Sequence, residues 1–288
     1  MKVAKILPTL VFLTVGLSGT RALELQPSTL KAWDDYIRTA DSNMQARLKG
    51  RQPFLWVDEA PGRNLIVQRG KTLAAPAAGN GILSVPGGLI HHWIGAVFIP
   101  RASIASLRAV FRDYDRYKDY YKPVVADSRR LSRTGADERF SMTWAHRVLF
   151  VNAAIEAQYQ AGDFAIDARR GYNIATTVQV REIEGYGQRD ERLLPPGQGS
   201  GYIWRMQGIA RFEERGGGVY LELEAIALTR DIPGSLRWLV SPVVNHLSVN
   251  SLTTTLRQTR DAVHSLPVGT NTLAAEAGSS GTPRLVEK

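Results

Sequence analysis

The sequence predicts an α+β fold in which a curved antiparallel β-sheet wraps around one long C-terminal α-helix. The helix is predicted by residues 231–266, where apolar side chains recur every three or four positions. Two long alternating segments precede it and are joined by Gly216-Gly217-Gly218, a pattern typical of a β-hairpin. A sheet that curls around a helix rarely closes completely, so the pattern also predicts a cavity between the two.

The C-terminal helix carries two apolar stripes in succession, which together predict that one side of it is buried on the sheet. The first stripe consists of Leu236, Leu239, Val240, Val243, Val244 and Leu247. The second, with nearly heptad spacing, consists of Val249, Leu252, Leu256, Thr259, Val263 and Leu266.

The N-terminal residues 1–22 have the three-part layout of a secretory signal peptide. Lys2 and Lys5 precede an apolar run from Ile6 to Leu17, and small residues then allow cleavage after Ala22. The run is short for a membrane span, which takes about 20 apolar residues. We therefore expect an exported, most simply periplasmic, protein; an uncleaved membrane anchor is the alternative.

The composition excludes several classes of function. The chain has no cysteine, which removes disulfides, cysteine-ligated metals and thiol catalysis. The formal charge of +9 is scattered, with no basic run interleaved with aromatic residues, so a nucleic-acid partner is not expected. Weak contact with anionic lipid head groups remains an option.

Residues 23–81 are predicted to form an extension of one helix and a small hairpin. The helix is capped by Ser28 or Thr29 and ends near Gly50. The hairpin is suggested by two strand-like runs, Phe54–Asp58 and Asn64–Gln68, on either side of a proline and a glycine. Residues 69–81 form a loop rich in small residues, so the main domain is placed at 82–266, and a disordered tail at 267–288.

The main domain alternates between strand and helix patterns in a fixed order. It opens with the strand Gly88–Ile99, followed by a helix at Ile104–Arg112 that Ser103 caps and a short helix at Asp113–Tyr121. Strands follow at Val124–Arg133, Glu138–Leu149, Val151–Gln160, Phe164–Ala168 and Tyr172–Glu184, then a polar loop at 185–200 and the hairpin Tyr202–Glu214 and Val219–Arg230. This order belongs to the α+β class.

Three stretches of the main domain resemble the START-like, polyketide-cyclase-related (SRPBCC) superfamily, more narrowly its exported bacterial members of unknown role. They are DYDRYKDYYKPVV, YIWRMQGIARFEERGGGVYLELEAIALTRDIP and SLTTTLRQTRDAV. The resemblance covers about residues 88–265 and implies a helix-grip fold that encloses a hydrophobic tunnel. It also implies an apolar small-molecule or lipid ligand, and a minority of such proteins are enzymes. No catalytic residue is carried over, since no invariant catalytic set defines the superfamily.

Catalytic and metal-binding motifs are weak in this chain, so neither catalytic residues nor a metal or cofactor is predicted. His91 and His92 are neighbours on a strand, so they point to opposite faces and do not readily share one metal. Glu222 and Glu224 share one strand face and would suit acid–base chemistry if one were desolvated. Alternating polar residues more often mark the solvated side of a sheet, which is the preferred interpretation.

The candidate tunnel residues come from aromatic, small and flexible side chains on one face of the predicted strands and helix. A face that mixes tryptophan, methionine and glycine has the irregular volume that a ligand tunnel needs, although an ordinary core is also consistent with it. The candidates are Trp144, Tyr159, Tyr202, Trp204, Met206, Gly208, Ala210, Val243 and His246.

Three functions are compatible with these patterns. The leading hypothesis is an exported binding or carrier protein for a hydrophobic, lipid-like small molecule. The second is a cyclase- or hydrolase-type enzyme with the same fold, which an inward histidine within hydrogen-bond reach of a carboxylate would favour. The third is a structural or partner-binding module whose cavity is filled by bulky side chains.

Overall fold

Ten antiparallel strands form one curved sheet in the part of the chain that the structure describes. This computed structural model describes residues 25–134, 137–148, 151–200, 203–231 and 234–267. Side chains are described in all of these residues except 146–148, 151–153 and 234–248. The strands are β1 (Leu73–Pro76), β2 (Ile82–Val85), β3 (Gly88–Pro100), β4 (Val125–Thr134), β5 (Asp137–Val148), β6 (Val151–Ala165), β7 (Arg170–Glu184), β8 (Arg192–Leu193), β9 (Arg205–Arg215) and β10 (Gly218–Arg230). Their order is β1-β3-β10-β9-β7-β6-β5-β4, with β2 paired to β3 and β8 to β7.

Five α-helices accompany the sheet within the described residues. They are α1 (Pro27–Leu48), α2 (Pro61–Gln68), α3 (Ile104–Arg112), α4 (Tyr117–Tyr120) and α5 (Gly234–Ser265), and 3₁₀ turns lie at Trp56–Glu59 and Tyr114–Arg116. None of these helices combines the length and the apolarity that a membrane span requires. The predicted helix-grip α+β architecture is confirmed, because the long antiparallel sheet holds the C-terminal helix.

The inner face of the sheet packs against α3, α4 and the C-terminal half of α5. Leu252 and Leu256 of α5 lie so close to Gly95 of β3 that a Cβ built there would approach their methyl groups at 3.1 and 2.9 Å. The predicted second stripe of α5 is confirmed: Leu252, Leu256, Thr259 and Val263 are buried, and Val249 and Leu266 pack against the same core. The side chains of the first stripe lie outside those described.

The outer face of the sheet is covered by the N-terminal extension, which is the main departure from the prediction. Met44 of α1, Leu55 and Val67 pack on Ile94 and Tyr220 in one cluster. Nearer the start of α1, Trp33 and Ala40 form a second cluster with three outer-face residues, Ile90, Ile226 and Leu228. Strands β3, β9 and β10 are therefore covered on both sides, by α5 on the inner face and by the extension on the outer face.

The predicted hairpin in the extension is wrong. Residues 56–59 form a 3₁₀ turn and Pro61–Gln68 forms α2, because Pro61 occupies the first helical turn, where its missing N–H costs nothing. The helix predicted to end near Gly50 is confirmed as α1, although no side chain caps it. The sheet itself starts with β1, before the predicted boundary at about residue 82.

Two further predictions about the main domain have different outcomes. Ser103 does cap α3, through a capping box with Ser106. The separate strand predicted at Phe164–Ala168 is wrong, since β6 continues to Ala165 and turns directly into β7. The predicted signal peptide at 1–22 lies outside the described residues, as does all but the first residue of the predicted tail at 267–288.

Candidate ligand-binding site

Among the side chains that the structure describes, one end of the inner face is tightly packed and the other end is left open. At the packed end, Phe212 of β9 and Leu221 of β10 have no exposed surface. Further along the same two strands the burial decreases, so that Met206 and Gly208 are half-buried and Ala225 is exposed. The decrease shows that the described residues cover the inner face less completely at this end.

A row of small residues forms the floor of the open end. Ala225, Gly208 and Ala175 stand side by side on β10, β9 and β7, and Ala161 of β6 continues the row. No atom of the described residues lies within 4 Å of a Cβ built on Gly208. The backbone of Gly208 does not need the left-handed conformation that only glycine adopts readily, so the missing side chain leaves space rather than relieving strain.

The wall beside this floor is formed by Trp144, Tyr159 and Met206. The Trp144 Nε1–H donates to the Tyr159 hydroxyl at 3.0 Å, and that hydroxyl donates to the Met206 sulfur at 3.8 Å. Burial raises the pKa of Tyr159 above its ordinary value, so its hydroxyl keeps its proton throughout the physiological range. These three predicted tunnel residues are therefore brought together, and Met206 is two residues from Gly208 on the same face of β9.

The remaining predicted tunnel residues do not join the wall formed by Trp144, Tyr159 and Met206. Ala210 is buried on the inner face, at the boundary between the packed and the open ends. Trp204 belongs to the outer cluster with Trp33 and Leu228, so the prediction that it faces the tunnel is wrong. It precedes β9, which starts at Arg205, so strand alternation does not orient its side chain. Tyr202 and the side chains of Val243 and His246 lie outside those described.

The outer face contains a buried charged network that the sequence interpretation placed in solvent. Glu222 has no exposed surface and accepts hydrogen bonds at 2.8 Å from both the Trp56 and Val57 backbone N–H groups. Arg211, also buried, donates to Glu222 at 3.3 Å and to Glu224 at 2.6 Å. The preferred interpretation of these carboxylates as a solvated face is therefore wrong, because the extension covers them.

His92 extends this network to α1. Its Nε2 lies 2.7 Å from Glu224 and its Nδ1 lies 2.7 Å from the Tyr36 hydroxyl. A neutral His92 with its proton on Nε2 satisfies both contacts, donating to Glu224 and accepting from Tyr36. The network therefore joins the sheet to two parts of the extension, α1 and the 3₁₀ turn.

The two glutamates respond to this environment in opposite directions. Burial raises the pKa of Glu222 despite the nearby Arg211. Burial also acts on Glu224, but the hydrogen bond from His92 and the charge of Arg211 outweigh it and lower the pKa of that carboxyl to about 2. Glu224 is thus an anion that its neighbours stabilise, whereas at Glu222 burial favours the neutral form and is opposed by Arg211 and the two backbone hydrogen bonds.

A separate surface cleft of about 330 Å³ lies on the outer side of β4–β7. Its carboxylates already have partners, since Asp127 accepts from Lys118 at 2.9 Å and Glu156 from Arg181 at 2.5 Å. This pairing indicates a solvated groove rather than a second ligand site.

Comparisons with known proteins find similarity at the level of three-dimensional structure only. No protein-family model matches the chain, and no curated sequence matches it significantly. Similar solved structures include a STAR-related lipid transfer protein from Xanthomonas axonopodis (18% identity, TM-score 0.41, 67% of this chain and 98% of that one) and human STARD10 (12%, 0.41, 67% and 76%). The aromatase/cyclase Zhui from Streptomyces sp. R1128 is another (16%, 0.38, 60% and 96%). These similarities are distant, and the helix-grip architecture is assigned from the topology described above.

The histidines occupy opposite faces of β3, as predicted. His91 stands opposite Ala227 on the inner face and bonds to Thr229 at 3.0 Å, and burial lowers its pKa. His92 is the histidine that meets a carboxylate, but it does so on the outer face, under the extension. A histidine that contacts a carboxylate would favour an enzyme if the pair faced the inner side of the sheet. Here the pair lies on the outer face, away from the open end.

One sequence signal could have revealed that both faces are covered. The β3 segment GLIHHWIGAVFI is an almost continuous apolar run, and its residues are buried at nearly every position. Such a run is typical of a strand that is covered on both sides, whereas a half-solvated strand alternates. Because β10 pairs with β3, a cover over both faces of β3 also extends over β10, which carries Glu222 and Glu224.

Proposed function

We propose that this chain is an exported binding or carrier protein that holds a hydrophobic small molecule between its sheet and its C-terminal helix. The proposal rests on the space above Gly208 that no described residue fills, on a floor of alanines and near Met206. An apolar surface that stays open in an otherwise close-packed inner face is the property of a site rather than of a core.

The energetics of such a site suit an uncharged, apolar ligand. Each Å² of apolar surface removed from water contributes roughly 25 cal/mol, so a ligand that buries a few hundred Å² can bind without a charged anchor. The described charged side chains near the middle of the sheet, Arg211, Glu222 and Glu224, are directed to the outer face and are paired with one another. The inner face is therefore left for the ligand, whereas the outer-face charges bind the extension to the sheet.

Gly208→Phe tests the binding site directly. The aromatic ring is expected to fill the open space, so that binding of a fluorescent apolar probe such as a naphthalene-labelled fatty acid is abolished while the fold is kept. Gly62→Phe is the matched control, because Gly62 of α2 also has free space around a Cβ but lies exposed on the extension. Equal loss of binding in both variants, or unchanged binding in Gly208→Phe, would contradict the proposed site.

Export is the second part of the proposal, and it rests on the N-terminal pattern alone. Cleavage after Ala22 is expected because a short apolar run and small residues precede that position. The intact mass of the protein recovered from the cell envelope measures it. A mature chain that still starts at Met1 would instead support a membrane anchor.

A further inference from the structure

Tyr159 places a polar group inside the otherwise apolar wall of the open end. Its side chain, 5% exposed, lies on the inner face of β6, opposite Thr177 of β7. Its hydroxyl reaches across to Met206 of β9, which is two residues from Gly208 and on the same strand face. Residues two apart on a strand are roughly 7 Å apart, so the hydroxyl lies at the edge of the open space.

The hydrogen-bonding capacity of this hydroxyl is incompletely used. Its oxygen accepts the Trp144 Nε1–H at 3.0 Å, a normal hydrogen bond. Its own proton is directed to the Met206 sulfur at 3.8 Å, and no other acceptor is found for it among the described residues. A thioether is a weak acceptor, and buried tyrosine hydroxyls usually find a stronger one.

The position of the hydroxyl is fixed by ring stacking. The Tyr159 ring stacks on Phe140 with centroids 4.8 Å apart, and Phe140 stacks on Tyr114 at 4.3 Å. Three parallel rings and the hydrogen bond from Trp144 leave the hydroxyl little freedom. A donor that is held in place before binding loses little entropy when a ligand accepts its proton.

We infer that Tyr159 is a specificity-determining residue that donates a hydrogen bond to a neutral oxygen, a carbonyl, ether or hydroxyl oxygen, on the ligand. The ligand class is thus an oxygen-bearing apolar molecule rather than a plain hydrocarbon. A carboxylate is disfavoured, because burying its charge needs a cation, and two arginines of the neighbouring strands, Arg181 and Arg211, are paired with carboxylates on the outer face. This inference rests on the proposed binding function.

The test uses two flat probes, fluorenone and fluorene, which differ in having a carbonyl or a methylene group at the same position. Equilibrium dialysis measures the affinity of each probe for the wild-type protein and for Tyr159→Phe. The wild type is expected to bind fluorenone roughly two- to tenfold more tightly than fluorene, the ratio that one neutral hydrogen bond supplies. Tyr159→Phe should abolish that preference, whatever its effect on the affinity for fluorene. Met206→Leu, which removes the internal acceptor but also changes the wall of the site, should keep the ratio of the two affinities.

The possible outcomes separate this inference from the proposed function. If the wild type binds both probes equally, or Tyr159→Phe keeps the preference, the inference is overturned while the binding function stands. If the wild type binds neither these probes nor a labelled fatty acid, both fail. Should Tyr159→Phe not fold, the infrared carbonyl band of bound fluorenone decides: a shift to lower frequency than in hexane supports the hydrogen bond, and an unshifted band overturns it.

Discussion

Arg211 neutralises two carboxylates on the outer face, and its replacement by methionine is expected to destabilise the protein strongly. The side chain is 1% exposed, and its guanidinium lies 3.3 Å from Glu222 and 2.6 Å from Glu224. Methionine has a similar length and apolar stem, so Arg211→Met keeps most of the packing. It leaves two buried carboxylates without their common cation.

The size of this effect follows from the burial of the partners. Removing one member of a buried ion pair costs about 3–5 kcal/mol, because the remaining charge is left uncompensated in a poorly solvated place. Glu222 keeps the two backbone hydrogen bonds from Trp56 and Val57, and Glu224 keeps the one from His92, so the cost should not exceed that range. We therefore expect Arg211→Met to lower the free energy of unfolding by about 4 kcal/mol.

Urea unfolding at neutral pH measures this difference, and Arg215→Met serves as the matched control. Arg215 lies on the same strand face and pairs with Asp58 of the extension at 2.6 Å, but its side chain is 32% exposed. A surface pair of this kind contributes at most about 1 kcal/mol. If Arg211→Met were no more destabilising than Arg215→Met, the outer-face network would not be a buried, mutually dependent set of charges.

Two other predictions concern acid and the C-terminal helix. Glu224 has a pKa of about 2 in the folded protein against 4.5 in the unfolded chain, so its stabilisation is complete above pH 4.5 and declines by about 3 kcal/mol as the pH falls to 2. Urea unfolding across that window should show a flatter pH dependence for Glu224→Gln, and an unchanged slope would refute the assignment. Leu256→Asp should cost more than about 4 kcal/mol, because Leu256 has no exposed surface, whereas Leu65→Asp, at a position 54% exposed, should be nearly neutral. Wild-type-like melting of Leu256→Asp would show that α5 does not pack on the sheet.

The long strands and helices of the main domain could be predicted because each carries its own period, whereas β2 and β8 were too short to show one. The apolar residues of α5 recur with a helical period, and Leu252, Leu256 and Val263 are buried as that period requires. The inner faces of β9 and β10 follow from alternation in the same way, which puts Met206, Gly208 and Ala210 on one face. These are local patterns, and they do not depend on what covers the other side of the sheet.

The outer-face network could not be predicted because it depends on a contact between distant segments. Glu222 bonds to the Trp56 and Val57 backbone, more than 160 residues earlier in the chain, and backbone donors leave no mark on the sequence. The apolar run of β3 indicates that this face is covered, but β10 itself, an alternating strand with glutamates on one face, carries no mark of the donors that cover it. Trp204 was misplaced for a related reason, since it lies just before β9 and packs on Trp33 of α1.

Native mass spectrometry of the purified wild-type protein and of Gly208→Phe shows whether the inner face holds a ligand. The wild type is expected to carry an apolar molecule, seen as a mass excess that organic solvent releases. Gly208→Phe should not carry it, whereas Gly62→Phe should. The space above Gly208 is the reason for this difference. A wild-type protein that shows only its own mass and takes up no added apolar probe would contradict the claim that the inner face holds a ligand.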